Sequence, residues 1–335
     1  MAKRKSRIHQ KLIATPASKR GRLIAIGLLF SLIVGVVVFA QWSGLLATQR
    51  QRTSSKSGST PASPTTQSVD SGSPSKEYIY AGGKLVATEE GPGADTIGLY
   101  DPSNTNFHLR NSNSSGADDS QFPYGVAGWT PLAGDWNGDG VDTVGSFNPS
   151  TSTFFLKNSN SAGPADVIFN FGPAAAGWIP VAGDWDGNGV DTVGLYDPAT
   201  STFFLKNSNS AGAADLTFPY GSTGAGWLPV VGDWNGDGAD SVGLYNPSTS
   251  TFYLKNSNSA GAADLVFTYG PAGAGWLPVV GDWNGDRTDT IGLYNDSTAT
   301  FFLRNSNTAG AADVTFAYGS AGAGWKPIAG DWDGQ

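Results

Sequence analysis

The chain has 335 residues, only 14% of them charged, with 46 Gly, 19 Pro and no Cys. About a fifth of its residues therefore interrupt regular helix, which argues against a long helical bundle, and the missing thiols exclude disulfides, thiolate metal sites and cysteine nucleophiles. Charge is divided by position: eight Lys and Arg and no acid precede residue 23, whereas from Glu77 onward eight basic residues stand against 27 acids, a net of −19. Such a field repels phosphate backbones and anionic headgroups, so the main domain does not read as a nucleic-acid binder.

Residues 1 to 22 are a basic tail that the positive-inside rule places in the cytoplasm. Leu23 to Trp42 follows with 20 residues and no charge. At about 1.5 Å rise per residue, a helix of that length covers the roughly 30 Å hydrocarbon core. The segment predicts a transmembrane signal anchor, a single pass of type II in the plasma membrane with the acidic bulk outside. The competing reading is secretion after cleavage near Ala40, because Val38 and Ala40 stand at the −3 and −1 positions of a signal peptide. Residues 43 to 76 are rich in Ser, Thr and Pro and bury too little apolar surface to offset their ordering entropy, so they read as a disordered linker.

Residues 77 to 335 are built on a repeat. Asp-Trp recurs at Asp135, Asp184, Asp233, Asp282 and Asp331, each 49 residues from the last, and a second series, Trp129, Trp178, Trp227, Trp276 and Trp325, keeps the same period. Every unit divides into four short β-rich runs bounded by Gly, Asn, Asp, Pro or Ser. Val242 and Leu244 alternate with Gly243 and Tyr245, and Asn246-Pro247-Ser248 supplies a turn between the first two runs after the acid loop. Units of this length with four strands each predict an all-β fold, a β-propeller of five four-stranded blades; a parallel β-helix is the runner-up. The units begin at Asp95, Asp142, Asp191, Asp240 and Asp289, and the segment Gly324 to Trp332 (GWKPIAGDW) is placed to complete the blade begun at Asp95. Lys84 to Glu90 (KLVATEE) aligns with the same strand position and competes for that slot.

The acid loops are candidate metal sites. In the first, Asp135, Asn137, Asp139 and Asp142 occupy positions 1, 3, 5 and 8, with Gly140 at position 6. The equivalent sets are Asp184, Asp186, Asn188 and Asp191; Asp233, Asn235, Asp237 and Asp240; and Asp282, Asn284, Asp286 and Asp289. Oxygen ligands at alternate positions around a turn suit Ca²⁺, which takes six to eight of them at about 2.3 to 2.6 Å. An EF-hand is excluded, because position 12 holds Ser146, Leu195, Leu244 or Leu293 in place of Glu. The alternative is that these side chains only make turns by binding their own backbone amides. Arg287 replaces the glycine at position 6, which costs about 1 to 2 kcal/mol if the position is left-handed, so the fourth loop is expected to bind least well.

The GDWNGDG segments resemble the FG-GAP or VCBS-type repeats of integrin-like bacterial surface proteins, whose propeller blades carry a calcium loop of pattern D-x-[DN]-x-D-G-x-x-D. The resemblance covers residues 84 to 335. It implies Asp135, Asn137 and Asp139 as ligands, with Asp184, Asp186, Asn188, Asp233, Asn235 and Asp237 in the next two loops. This chain departs from the pattern at the last acid, which stands at position 8 where the family has position 9. YIYAGGKLVATEE also resembles a hairpin of bacterial YD-repeat proteins, which adds to an extracellular setting.

For catalysis the chain offers little beyond His9 in the basic tail and His108, whose sibling positions are Phe155, Phe204, Tyr253 and Phe302. His108 therefore reads as an aromatic substitute on a sheet face. Nearly every Asp recurs in several units, whereas an active site needs residues that break the symmetry; a glycoside-acting enzyme is the weakest reading. Near-identical surfaces repeated around a ring favour multivalent recognition of a glycan or a surface protein, through the LKNSNSAGAAD and YGxAGAGW loops. Two alternatives stand beside it: Trp227 and its relatives as blade-to-blade core, and the whole ring as a scaffold with no ligand of its own.

Overall fold

The computed structural model describes residues 93 to 334 and, as backbone, the strands β1 (Glu77–Ala81) and β2 (Lys84–Glu89). The basic tail, the apolar span and the linker lie outside the described residues, among which no helix is long and apolar enough to cross a membrane. Residues from Val69 to Gln335 form one compact unit.

β1 and β2 pair only with each other, in a two-stranded sheet. Next come β3 (Thr96–Asp101), β4 (Asn106–Leu109) and β5 (Ser120–Pro123). The second blade is β6 (Thr130–Gly134), β7 (Thr143–Asn148), β8 (Thr153–Leu156) and β9 (Val167–Asn170). The third is β10 (Ile179–Gly183), β11 (Thr192–Asp197), β12 (Thr202–Leu205) and β13 (Leu216–Pro219). The fourth is β14 (Leu228–Gly232), β15 (Ser241–Asn246), β16 (Thr251–Leu254) and β17 (Leu265–Thr268). The fifth is β18 (Leu277–Gly281), β19 (Thr290–Asn295), β20 (Thr300–Leu303) and β21 (Val314–Ala317). The last strand, β22 (Lys326–Gly330), returns to pair antiparallel with β3, from Lys326 opposite Tyr100 to Gly330 opposite Thr96. The first blade is thus β22-β3-β4-β5, and the molecule is an all-β propeller of five four-stranded blades closed by its C-terminal strand. The predicted competition for that slot is resolved in favour of β22, since β2 is spent on β1.

Alternation along the second strand of each blade does not become an inside and an outside. In β11 all six residues are buried, because blade sheets pack on both faces. The core is five separate clusters, each joining one blade to the next. Phe154, Leu156, Phe169 and Phe171 of the second blade, for example, pack with Val193 and Leu195 of the third. The fifth blade meets the first in the same way, Phe301, Leu303 and Phe316 against Ile97 and Leu99. The two tryptophan series have different fates. Trp136, Trp185, Trp234, Trp283 and Trp332 are buried in these joints, whereas Trp129, Trp178, Trp227, Trp276 and Trp325 stay half-buried.

Candidate functional site

The inner strands β6, β10, β14, β18 and β22 end at the acid loops, which therefore gather around one end of the axial bore. Within a loop the first Asp organises the turn. Asp135 accepts Gly138 N at 2.7 Å and Asp139 N at 3.2 Å on one oxygen, and Gly140 N at 2.8 Å on the other. Asp184, Asp233 and Asp282 do the same work in their own loops. Arg287 does adopt the left-handed conformation, with φ 69°, and still donates its N–H to Asp282. The third and fifth residues lie in the open: Asn137 and Asp139 are exposed and joined by one side-chain bond of 2.8 Å, as are Asn235 with Asp237 and Asn284 with Asp286 at 2.8 and 2.9 Å. In the second loop Asp186 and Asn188 are likewise exposed, with Asn188 Oδ1 accepting Val190 N.

The eighth residue is directed elsewhere. Asp191 Oδ2 accepts the N–H of Asp135, in the preceding blade, at 2.9 Å, while Asp191 N donates to Asp135 O at 2.8 Å. The same reciprocal pair joins Asp240 to Asp184, Asp289 to Asp233, Asp95 to Asp282 and Asp142 to Asp331. Each joint is therefore riveted by the acid that the loop motif assigns to its own loop. The glycine closing each inner strand makes room: a Cβ on Gly134 would stand 2.7 Å from Asp191 Oδ2.

Asp95, Asp142, Asp191, Asp240 and Asp289 form a ring of five carboxylates. Burial, and then the charge of neighbouring Asp side chains, raise all five above the ordinary carboxylate range, with Asp191 and Asp289 reaching about 7. Among the described residues, no group of three or more His, Cys, Asp or Glu side chains is arranged to hold a metal ion. Position 1 is committed to amides and position 8 to the joint, which leaves each loop two exposed side chains toward a cation, fewer than the six to eight oxygens calcium takes.

The opposite face carries the half-buried tryptophans. Each stacks on the third strand of its own blade: Trp129 on Phe155, Trp178 on Phe204, Trp227 on Tyr253 and Trp276 on Phe302, with ring centroids 4.4 to 4.6 Å apart. The connectors before them are exposed, residues 173 to 177 for instance. The Asn-Ser-Asn loops, by contrast, are held as turns, although the buried Oδ1 of Asn113, Asn160, Asn209 and Asn307 has no hydrogen-bond partner. Asn160, Asn209, Asn258 and Asn307 each donate to the backbone oxygen of a ring Asp, and Lys157, Lys206 and Lys255 each donate back to a carbonyl of the same loop.

One joint breaks the symmetry. His108 stacks on Trp325 at 4.4 Å as its siblings do, but its Nδ1 also meets Asp118 Oδ2 at 2.8 Å, and Tyr318 OH donates to Asp118 Oδ1 at 2.7 Å. Burial, then the bond and charge of Asp118, push the Tyr318 phenol up, so it remains a donor. Sequence reading took His108 as a plain aromatic and missed its partner. The signal was there: Asp118 stands where the other units have Ala165, Ala214, Ala263 and Ala312. Asp118→Ala alone should cost about 1 to 3 kcal/mol, because it leaves a buried imidazole N–H without an acceptor. Adding His108→Phe, which recreates the Phe155 and Ala165 pairing, should recover most of the loss. Urea titrations of the two single variants and the double variant check this; additive losses would mean the contact carries no coupling.

Comparison with known proteins finds no matching family model and no matching curated protein. Among solved structures, a lectin of Agrocybe aegerita, described for specific recognition of non-reducing terminal N-acetylglucosamine, matches 76% of this chain and 73% of its own, with 16% sequence identity and a TM-score of 0.39.

Proposed function

We propose that the chain is a membrane-anchored extracytoplasmic binding and adhesion module that recognises a glycan or a surface protein multivalently. The carrying observation is the face on which half-buried tryptophans, stacked on an aromatic partner and flanked by exposed Gly-rich connectors, recur around a closed ring. A planar, partly wet aromatic suits the apolar face of a sugar or a side chain, and repetition converts weak single contacts into avidity. The ring, residues 69 to 335, should bind repetitive glycans on an array, and Trp227→Ala followed by Trp276→Ala should lower apparent affinity in steps of several-fold. Absence of binding to glycans and to intact cell surfaces would leave the scaffold reading.

Anchoring rests on the uncharged run Leu23 to Trp42 and the basic tail before it. Protease shaving of intact cells is expected to remove the ring and spare residues 1 to 22, whereas a mature protein beginning at Gln41 would establish cleavage. Calcium belongs to the same proposal as a stabiliser: Asn137 with Asp139, and their counterparts, are the exposed groups a hydrated cation would use. Affinity should be modest, about 10⁻⁴ to 10⁻³ M, and occupancy at ten times that concentration should add roughly 1.4 kcal/mol per site. A melting temperature unchanged between calcium and chelator would leave the loops as self-sufficient turns.

A further inference from the structure

The end of the bore away from the acid loops opens into a cavity of about 310 Å³ between the starts of the inner strands. Its wall is mainly apolar: Ile179, Leu228 and Leu277 begin three of those strands, Pro229, Pro278 and Pro327 form a second tier, and Trp129, Thr130 and Tyr100 close one side. The corresponding residue of the closing strand is Lys326, exposed at the rim. No sibling is charged, since the equivalents are Thr130, Ile179, Leu228 and Leu277. Nor is the lysine spent on structure. Arg110, Lys157, Lys206, Lys255 and Arg304 are tied into their own loops, whereas the Lys326 ammonium has no hydrogen bond or ion pair with a described residue.

Below the cavity the bore continues as a second space of about 260 Å³, lined by residues such as Val181, Val230 and Ile328 with polar backbone groups exposed among them, and it ends at the carboxylate ring. An inner strand rises about 13 Å over its five residues. The passage is therefore polarised: one cation over an apolar well at one end, five carboxylates at the other. An anion is attracted at the lysine rim.

We propose that this well is a binding site, one per ring, for a small amphipathic anion: a compact apolar body seated among Ile179, Leu228 and Leu277, with a carboxylate or sulfonate head on Lys326. The volume stands at the lower end of small-molecule sites, and an apolar lining with one placed charge is how such sites orient a ligand. Because the site lies on the axis, it is single where the tryptophan stacks are repeated; it shares Trp129 with them, but its head group and apolar seat are Lys326, Ile179, Leu228 and Leu277.

The test uses two probes sharing an aryl-naphthylamine body, 8-anilinonaphthalene-1-sulfonate and the uncharged N-phenyl-1-naphthylamine, titrated by fluorescence into the ring of residues 69 to 335. This unit contains every strand partner and core cluster of the propeller. Lys326→Leu installs the residue that β14 and β18 already carry and should melt like the parent. Saturable binding of both probes at one site is expected. Lys326→Leu should weaken the sulfonate at least tenfold and leave the neutral probe unchanged, and Leu228→Trp, which fills the well, should weaken both. Equal sulfonate affinity in parent and Lys326→Leu would overturn the proposal, as would several equivalent sites, loss of both probes in Lys326→Leu, or no binding of either probe by the parent.

Discussion

Removing residues 325 to 335 is expected to abolish cooperative folding of the whole ring, not to fray its end. The deletion takes β22 and with it the entire five-residue ladder to β3, the Trp325 stack on His108, the buried Ile328 and Trp332, and the reciprocal pair of Asp331 with Asp142. Burying two large apolar side chains contributes about 2 to 3 kcal/mol each, and the ladder and joint add to that. The sum, more than about 5 kcal/mol, is a large share of a typical domain's stability. Two joints fail together, since the first blade packs against both the second and the fifth. Calorimetry should show the single transition of the parent lost or lowered by more than about 15 °C, with an exposed β3 edge driving association in size-exclusion runs. A truncated chain that melts like the parent would mean that the ring is held without its closing strand.

The second large effect is on pH. All five ring carboxylates have folded-state values raised above the unfolded value of 3.8, by burial first and then by the charge of neighbouring Asp side chains, both in the ring and at the start of the acid loops. A raised value means that the folded state holds more protons than the unfolded one, so stability falls as pH rises. For Asp191 and Asp289 the window runs from about pH 4 to about pH 7, and for Asp95, Asp142 and Asp240 it extends upward from the same start. The excess of acids over the domain acts in the same direction. In chelator, the ring should melt about 10 °C higher at pH 5 than at pH 8, corresponding to several kcal/mol. Asp191→Asn preserves an acceptor for Asp135 N and removes one charge. It should stabilise at pH 8 and do nothing at pH 4; the opposite pH trend would show that the carboxylates are favoured when ionised.

What could be read in advance was whatever the 49-residue period carries. Five units and four strands in each follow from counting, because a blade cannot bury its faces alone, whereas counting leaves the closing slot open between the segment ending at Trp332 and Lys84 to Glu90, and only the pairing of β1 with β2 decides it. The left-handed conformation at Arg287 was legible from its glycine siblings. The eighth acid of each loop was not. A motif is counted along the chain, whereas Asp191 serves Asp135, 56 residues earlier, a pairing that only the juxtaposition of blades creates. The His108 and Asp118 pair was missed for a related reason: each departure looks minor within its own strand or loop, and only the contact makes them one substitution.

Closure by β22 also decides how the ring meets mechanical load. If the proposed anchor holds the chain from its N-terminal side, tension would enter the propeller at Thr96, the first residue of β3. Without the closing strand, β3 would be the rim of its sheet and could be peeled away one hydrogen bond at a time. With β22 on one flank and β4 on the other, β3 is an interior strand, and pulling it out requires breaking two ladders together. The cost of a strand borrowed from the far end of the chain is slower assembly; the return is a handle set in the middle of a sheet.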